Sequence, residues 1–214
     1  MNTWTRPIIL AVLCGVGLIP VAGAELKLAR IFGDQMVLQC NKPVRIWGWA
    51  EPEDQVTLRF ADQVRTVTAA SSGAWAVELD PMKPSFAGQT LRVQGPDSQE
   101  TLEDVLVGEV WLCGGQSNME WKLRSSRDAD LEIDSADYPA LRYIRLPKIA
   151  RSQAQTDFPA GEREGRWQAC VSEQAENCTA VGYYFGRRLL RRLQVPVGLI
   201  DTSWGGTMAQ HWVP

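Results

Sequence analysis

From Leu26 to about Leu106 short apolar stretches alternate with turn residues: MVLQ, VRIWGWA, VTLRF, VRTVTA, AWAVEL and TLRVQG. Each is strand-length, rich in β-branched and aromatic residues, and bounded by Pro, Gly, Asp or Ser. That spacing predicts an antiparallel β-sandwich or barrel, with its clearest turns at Glu51-Pro52-Glu53-Asp54 and Ser71-Ser72-Gly73. The pattern changes at VLVGEVWLC, residues 105 to 113, a nearly continuous apolar run of the kind a strand buried on both faces requires. A second domain is therefore expected to start near Val105, dividing the chain into residues 25–105 and 106–214. Beyond the run the pattern predicts a short helix from Ser117 and a long polar stretch holding the strand LRYIRL. A helix near Thr179 to Gln194 and a buried-type strand, VPVGLI, complete it. In the long helix Gly182, Phe185, Gly186, Leu189 and Leu193 fall on one face at helical spacing, and Arg187, Arg188 and Arg191 fall roughly opposite. Its two glycines allow a close approach to a sheet, and its arginines read as a solvated face. Strands connected by helices make a parallel α/β sheet, so the fold class is mixed: an antiparallel sandwich followed by α/β.

Parallel sheets bind ligands in the crevice at the carboxyl ends of their strands. That rule puts two loops, GGQSN after the apolar run and WGGT after VPVGLI, on one edge. A serine hydroxyl is a poor nucleophile unless a base takes its proton and donors stabilise the oxyanion. Ser117 opens the predicted helix, so its N–H and the helix dipole face developing negative charge. Gly205 or Gly206 can add a second N–H, because a peptide without a side chain can face a substrate closely. One such donor is worth about 3 kcal/mol of transition-state stabilisation. The plainer reading is that Ser is a good helix cap and Gly-Gly a common turn. Ser203 is a second candidate nucleophile with weaker context.

Several totals alter this picture. Residues 1–24, a short basic start, an apolar run broken by Gly15, Gly17 and Pro20, and Ala22-Gly23-Ala24, read as a secretory signal peptide cleaved after Ala24. The run is shorter than the ~20 apolar residues of a membrane span, so no membrane association is expected after cleavage, and the mature chain is expected to be secreted or periplasmic. A formal net charge of −3 gives nothing that points to nucleic acid. Export permits disulfides, with Cys170 and Cys178 the nearest pair, while Cys113, in an apolar run, reads as a buried thiol. Nine tryptophans equal the 5 phenylalanines and 4 tyrosines together; Trp is a platform for sugar rings as well as a core residue.

GEVWLCGGQSNMEW and VPVGLIDTSWGGTMAQHW resemble the sialate O-acetylesterase family, a branch of the SGNH (GDSL-like) hydrolases that removes acetyl esters from sugars. IFGDQMVLQCNKPVRIWGWAEP resembles that family's N-terminal β-sandwich, and the likeness runs from about residue 28 to the last residue. It implies a flavodoxin-like parallel sheet for the second domain and Ser117 as both nucleophile and oxyanion donor. Gly205 or Gly206 is implied as the next donor, and an acetylated carbohydrate as substrate. No metal or organic cofactor is implied. Asn118 and Met119 belong to the signature and are read as shaping the turn.

The chain departs from the family in its later blocks. A Gln-Gly-Glu segment with its following Asn and an Asp-x-x-His segment for the base are both missing from it. Its one histidine, His211, lies where the family carries no catalytic base. It is read as a surface residue, with only Asp201 near in sequence to orient an imidazole. The SGNH domain is thus expected to be the N-terminal part of a longer one, and residues 25–214 alone to have negligible esterase activity. Two other readings stand beside the acetylesterase: a non-catalytic glycan-binding module, and one half of a split esterase whose partner chain carries the missing His block.

Overall fold

The computed structural model describes residues 25–159 and 164–212; the expected signal peptide lies outside them. Each apolar stretch before residue 95 forms a strand: β2 Val37–Gln39, β3 Val44–Trp49, β4 Gln55–Phe60, β5 Gln63–Thr68, β6 Ala74–Leu79 and β7 Ser85–Gln94. The pattern did not reveal β1, Lys27–Leu28, whose two residues pair antiparallel with β3. The predicted turns close as expected, with Asp54 N–H donating to Glu51 O and Gly73 N–H to Ala70 O. Gly73 has φ +79°, a left-handed conformation that suits glycine.

Strands β1, β3 and β6 form one antiparallel sheet. The other sheet is mixed, in the order β10-β9-β11-β8-β7-β4-β5, with the short β2 parallel to β8. Strand β8 is Gln99–Cys113, and β9, β10 and β11 are Asp137–Arg145, Trp167–Val171 and Val197–Asp201. Burial alternates along β4 and β6, so each turns one apolar face inward. Ile46, Trp75 and Leu79 of the small sheet share a core with Leu58, Leu91, Val93 and Val107 of the large one.

β8 is one continuous 15-residue strand and passes through the position where the pattern changes. Up to Gly108 it is flanked by β7 and β2, and Val105, Leu106 and Val107 are buried. From Glu109 to Cys113 its named neighbour is β11, in parallel register. The apolar run is therefore not buried on both faces throughout, because Trp111 and Leu112 are exposed. Trp111 packs edge-on against Phe185 at 5.1 Å between ring centres.

Two short helices, α1 Ser117–Glu120 and α2 Ala129–Asp134, precede helix α3, Ala180–Leu193, which begins at Thr179, whose hydroxyl accepts from Gly182 N–H, and ends at Gln194 in left-handed conformation. Gly182 and Gly186 bring it against the sheet. A Cβ on Gly186 would stand 2.5 Å from Leu141 Cδ1, and one on Gly182 3.2 Å from Cys113 Sγ. The buried face holds Ala180, Gly182, Tyr183 and Gly186; Phe185 and Leu193, expected on it, are exposed. The shift follows Tyr183, whose fully buried ring reaches Glu132 Oε1 through its hydroxyl at 2.9 Å. Among the arginines, Arg187 pairs with Glu132 and Arg191 lies over the Tyr138 ring.

The second core, with Leu141, Tyr143, Val197 and Leu199, takes in Cys113, Cys170 and Cys178. Cys170 and Cys178, the nearest pair in sequence, are free thiols; both are fully buried and fill apolar space as small hydrophobes. Burial pushes the Cys113 thiol up to about 12. Leu199 is 0% exposed beneath both helix glycines, so Leu199→Ala is expected to cost about 2–5 kcal/mol. In urea this appears as a lower midpoint at unchanged slope; an unmoved midpoint would contradict the packing.

Candidate active site

β8 and β11 run parallel with Cys113 opposite Asp201, and β9 lies parallel on the far side of β11 with Arg145 opposite Asp201. Three carboxyl ends thus meet on one edge, and the loops leaving them are joined by backbone bonds. Thr202 N–H donates to Cys113 O at 3.1 Å, Trp204 N–H to Gly115 O at 2.9 Å, and Leu146 N–H to Asp201 O at 2.9 Å. The two loops expected to share an edge do so.

Ser117 is the first residue of α1, Ser117–Glu120. The cap is Gln116, with no side-chain capping bond, so Ser117 is not the N-cap that the plainer reading made it. Its side chain is exposed and makes no hydrogen bond among the described residues. The helix is a single turn, closed by Trp121 N–H on Ser117 O. A dipole summed over four residues is slight, so the donors for negative charge are the first peptide N–H groups, which have no intrahelical acceptor.

Gly205 lies against this turn: a Cβ there would be 3.6 Å from Ser117 Cβ and 2.7 Å from Glu120 Oε2. The Gly205 N–H donates to Glu120 Oε2 at 2.5 Å and is already occupied. Gly206, at φ +81°, has open space where a side chain would stand.

Ser203 and Asp201 serve each other. The buried Asp201 carboxylate accepts the Ser203 N–H at 2.9 Å and its hydroxyl at 2.5 Å, and both residues are about 95% buried. Burial raises the Asp201 carboxyl above its usual range, and the Ser203 bonds pull it back. Ser203 is therefore a buried loop residue, and Asp201 is not bonded to His211. His211 is exposed in a 3-10 turn, Ala209–Trp212, and its Nδ1 accepts Met208 N–H at 3.1 Å. In the neutral ring that bond assigns the proton to Nε2. Beside it, Trp212 packs over Gly114, where a Cβ would lie 3.5 Å from the indole, and its N–H donates to Thr207 Oγ1.

The sequence reading gave no role to three charged residues on this edge. Glu120 is bonded to Lys148 Nζ, and Arg145 lies 3.8 Å from Glu120 and 3.4 Å from Glu164. The Lys148 bond, helped by Gly205 N–H and opposed by partial burial, holds the Glu120 carboxyl below its usual range. The signals were there: Glu120 is three residues after Ser117, one helical turn on, and Arg145 closes the strand LRYIRL.

Fold and site together define a mixed α/β protein in which a loop at the carboxyl ends of parallel strands presents an exposed serine. No family model matches the chain. It is 34% identical to sialate O-acetylesterase of Homo sapiens, over 89% of this chain and 39% of that protein. To the Mus musculus sialate O-acetylesterase it is 32% identical, over 89% and 38%. A solved carbohydrate acetylesterase from Xanthomonas citri is similar at TM-score 0.83 and 35% identity, over 88% of this chain and 42% of that one. The chain is thus a homologue of the sialate O-acetylesterases and spans about two fifths of their length.

Proposed function

We propose that this chain is the N-terminal portion of a secreted or periplasmic carbohydrate O-acetylesterase, a β-sandwich joined to the first part of an SGNH-type sheet. Ser117 is its nucleophile. The observation that carries the reading is the meeting of the serine turn and the Gly205-Gly206 loop at one parallel-sheet edge, supported by acetylesterase relatives over nearly nine tenths of the chain.

In this reading Ser117 Oγ attacks the acetyl carbonyl of a sugar ester, and the sugar leaves with a proton. Water then hydrolyses the acetyl-serine. The oxyanion receives the N–H of Ser117 and that of Gly206, since Gly205 N–H is engaged by Glu120. Ser117 lacks a base: no imidazole or carboxylate is hydrogen-bonded to it among the described residues. The flank of β8 from Glu109 to Cys113 that pairs with no strand among the described residues, and its exposed Trp111 and Leu112, favour completion of the sheet by further strands that bring the Asp-x-x-His block, in this polypeptide or from a partner chain.

The chain by itself is expected to hydrolyse an aryl acetate no faster than buffer. Supplied with a chain carrying the later blocks, it is expected to turn the ester over. Hydrolysis by the chain alone that vanishes in Ser117→Ala would refute its inactivity, and failure of every complementing chain to give turnover would sink the esterase reading.

A further inference from the structure

Glu120 is bonded to more of the carboxyl edge than any other side chain there. It stands at the end of the serine turn, yet its partners lie on the other two loops: Gly205 N–H after β11, and Arg145 and Lys148 at and after the end of β9. Oε2 takes the peptide N–H and Oε1 takes the cations, so one carboxylate spans three segments that are far apart in sequence. The contact is close on both sides, because the position of a Gly205 Cβ is 2.7 Å from Glu120 Oε2 and 3.6 Å from Ser117 Cβ.

We propose that Glu120 is a positioning residue that clamps the Gly205-Gly206 loop onto the serine turn and so sets the spacing between the Ser117 hydroxyl and the loop's peptide donors. The proposal rests on the esterase reading for its purpose, not for its geometry. Glu120 is unsuited to act as the base itself. Both of its oxygens are engaged, no bond reaches it from Ser117 among the described residues, and its cationic partners favour the ionised form. A charge-assisted N–H bond to a carboxylate is stronger than a neutral one, and a 25%-exposed side chain is only partly screened. Any larger residue at 205 would push the carboxylate away from the peptide, which gives a reason for glycine there beyond turn formation.

The charged groups around Glu120 are Lys148 and Arg145, with Glu164 beyond Arg145, Lys122 on the segment after α1, and Asp201 at the end of β11. With its carboxyl held below the usual range, the clamp is in place at neutral pH. It is lost as the pH falls through that lowered value and Glu120 takes a proton.

The test is amide NMR on the full 214-residue chain. The Gly205 amide is expected downfield, with one titration step below the ordinary glutamate value of about 4.3. In Glu120→Gln the step disappears while the downfield position is partly kept, because the side-chain amide oxygen still accepts. In Glu120→Ala the Gly205 and Gly206 amides are expected to exchange at least about tenfold faster, with the core amides of β9 and β11 unchanged. Should Glu120→Ala fail to fold, Lys148→Gln decides, since it must move the Gly205 step up toward the ordinary value. A Gly205 amide that ignores Glu120, or a step that Lys148→Gln leaves in place, overturns the clamp. None of these readouts uses ester turnover. A clamp found in a protein that no complementing chain activates would leave this inference standing and remove only the esterase reading.

Discussion

Ser117→Ala is expected to lower acetyl-ester turnover of the complemented enzyme by roughly 10⁴- to 10⁶-fold, the range seen when a serine nucleophile is removed and its surroundings remain. The loss should fall on kcat, with KM little changed, because the hydroxyl enters the reaction and does not hold the resting substrate. Stability should stay within about 0.5 kcal/mol of the parent, since Ser117 is exposed and caps no helix. The two measurements separate the roles that a serine at a strand-to-helix turn can have. A capping serine would cost about 1 kcal/mol and leave chemistry alone; a nucleophile does the reverse. Residual turnover above a tenth of the parent's would exclude Ser117 as the nucleophile.

Gly108→Ala is expected to destabilise the protein by about 3 kcal/mol or more, at the upper end for inserting a methyl group into packed structure. A Cβ there would stand 2.0 Å from the Pro196 carbonyl oxygen and 2.6 Å from its carbon. Both are backbone atoms, so no rotamer change relieves the contact. That same oxygen accepts Glu109 N–H at 2.9 Å, the bond that starts the parallel pairing of β8 with β11. The substitution must separate the strands where their register is set, and the Ser117 and Gly205 loops lie at the far end of those strands. Urea unfolding measures the loss. A midpoint equal to the parent's would mean that the strands can part at residue 108 without cost.

The second prediction depends on a contact between segments distant in sequence, and such contacts are where the sequence is least informative. Short apolar stretches between turn residues revealed β2 to β7, most clearly β4 and β6, whose one core-facing side leaves an alternating trace in the chain. The pattern also revealed α3, where helical spacing and paired glycines are local signals. The GGQSN and WGGT loops could be assigned to one edge because parallel connections put alternate loops on the same side. The two-residue β1 is too short to leave a trace, and β10 lay within a stretch read only as polar.

Local pattern by itself therefore determined strands β2 to β7, helix α3, and Ser117 as a candidate at the end of an apolar strand. Only the tertiary structure decided how β8 divides its neighbours, leaving Trp111 and Leu112 exposed in a run that reads as buried. It also removed Ser203 from candidacy by burying it against Asp201. Glu120 shows the physical reason. A charged residue three places after a serine has no marked periodicity, and its partners Arg145, Lys148 and Gly205 are 25, 28 and 85 residues away. A hydrogen bond or ion pair across that separation depends on where the sheet brings its strand ends, and pairing register, unlike propensity, is a property of the whole fold.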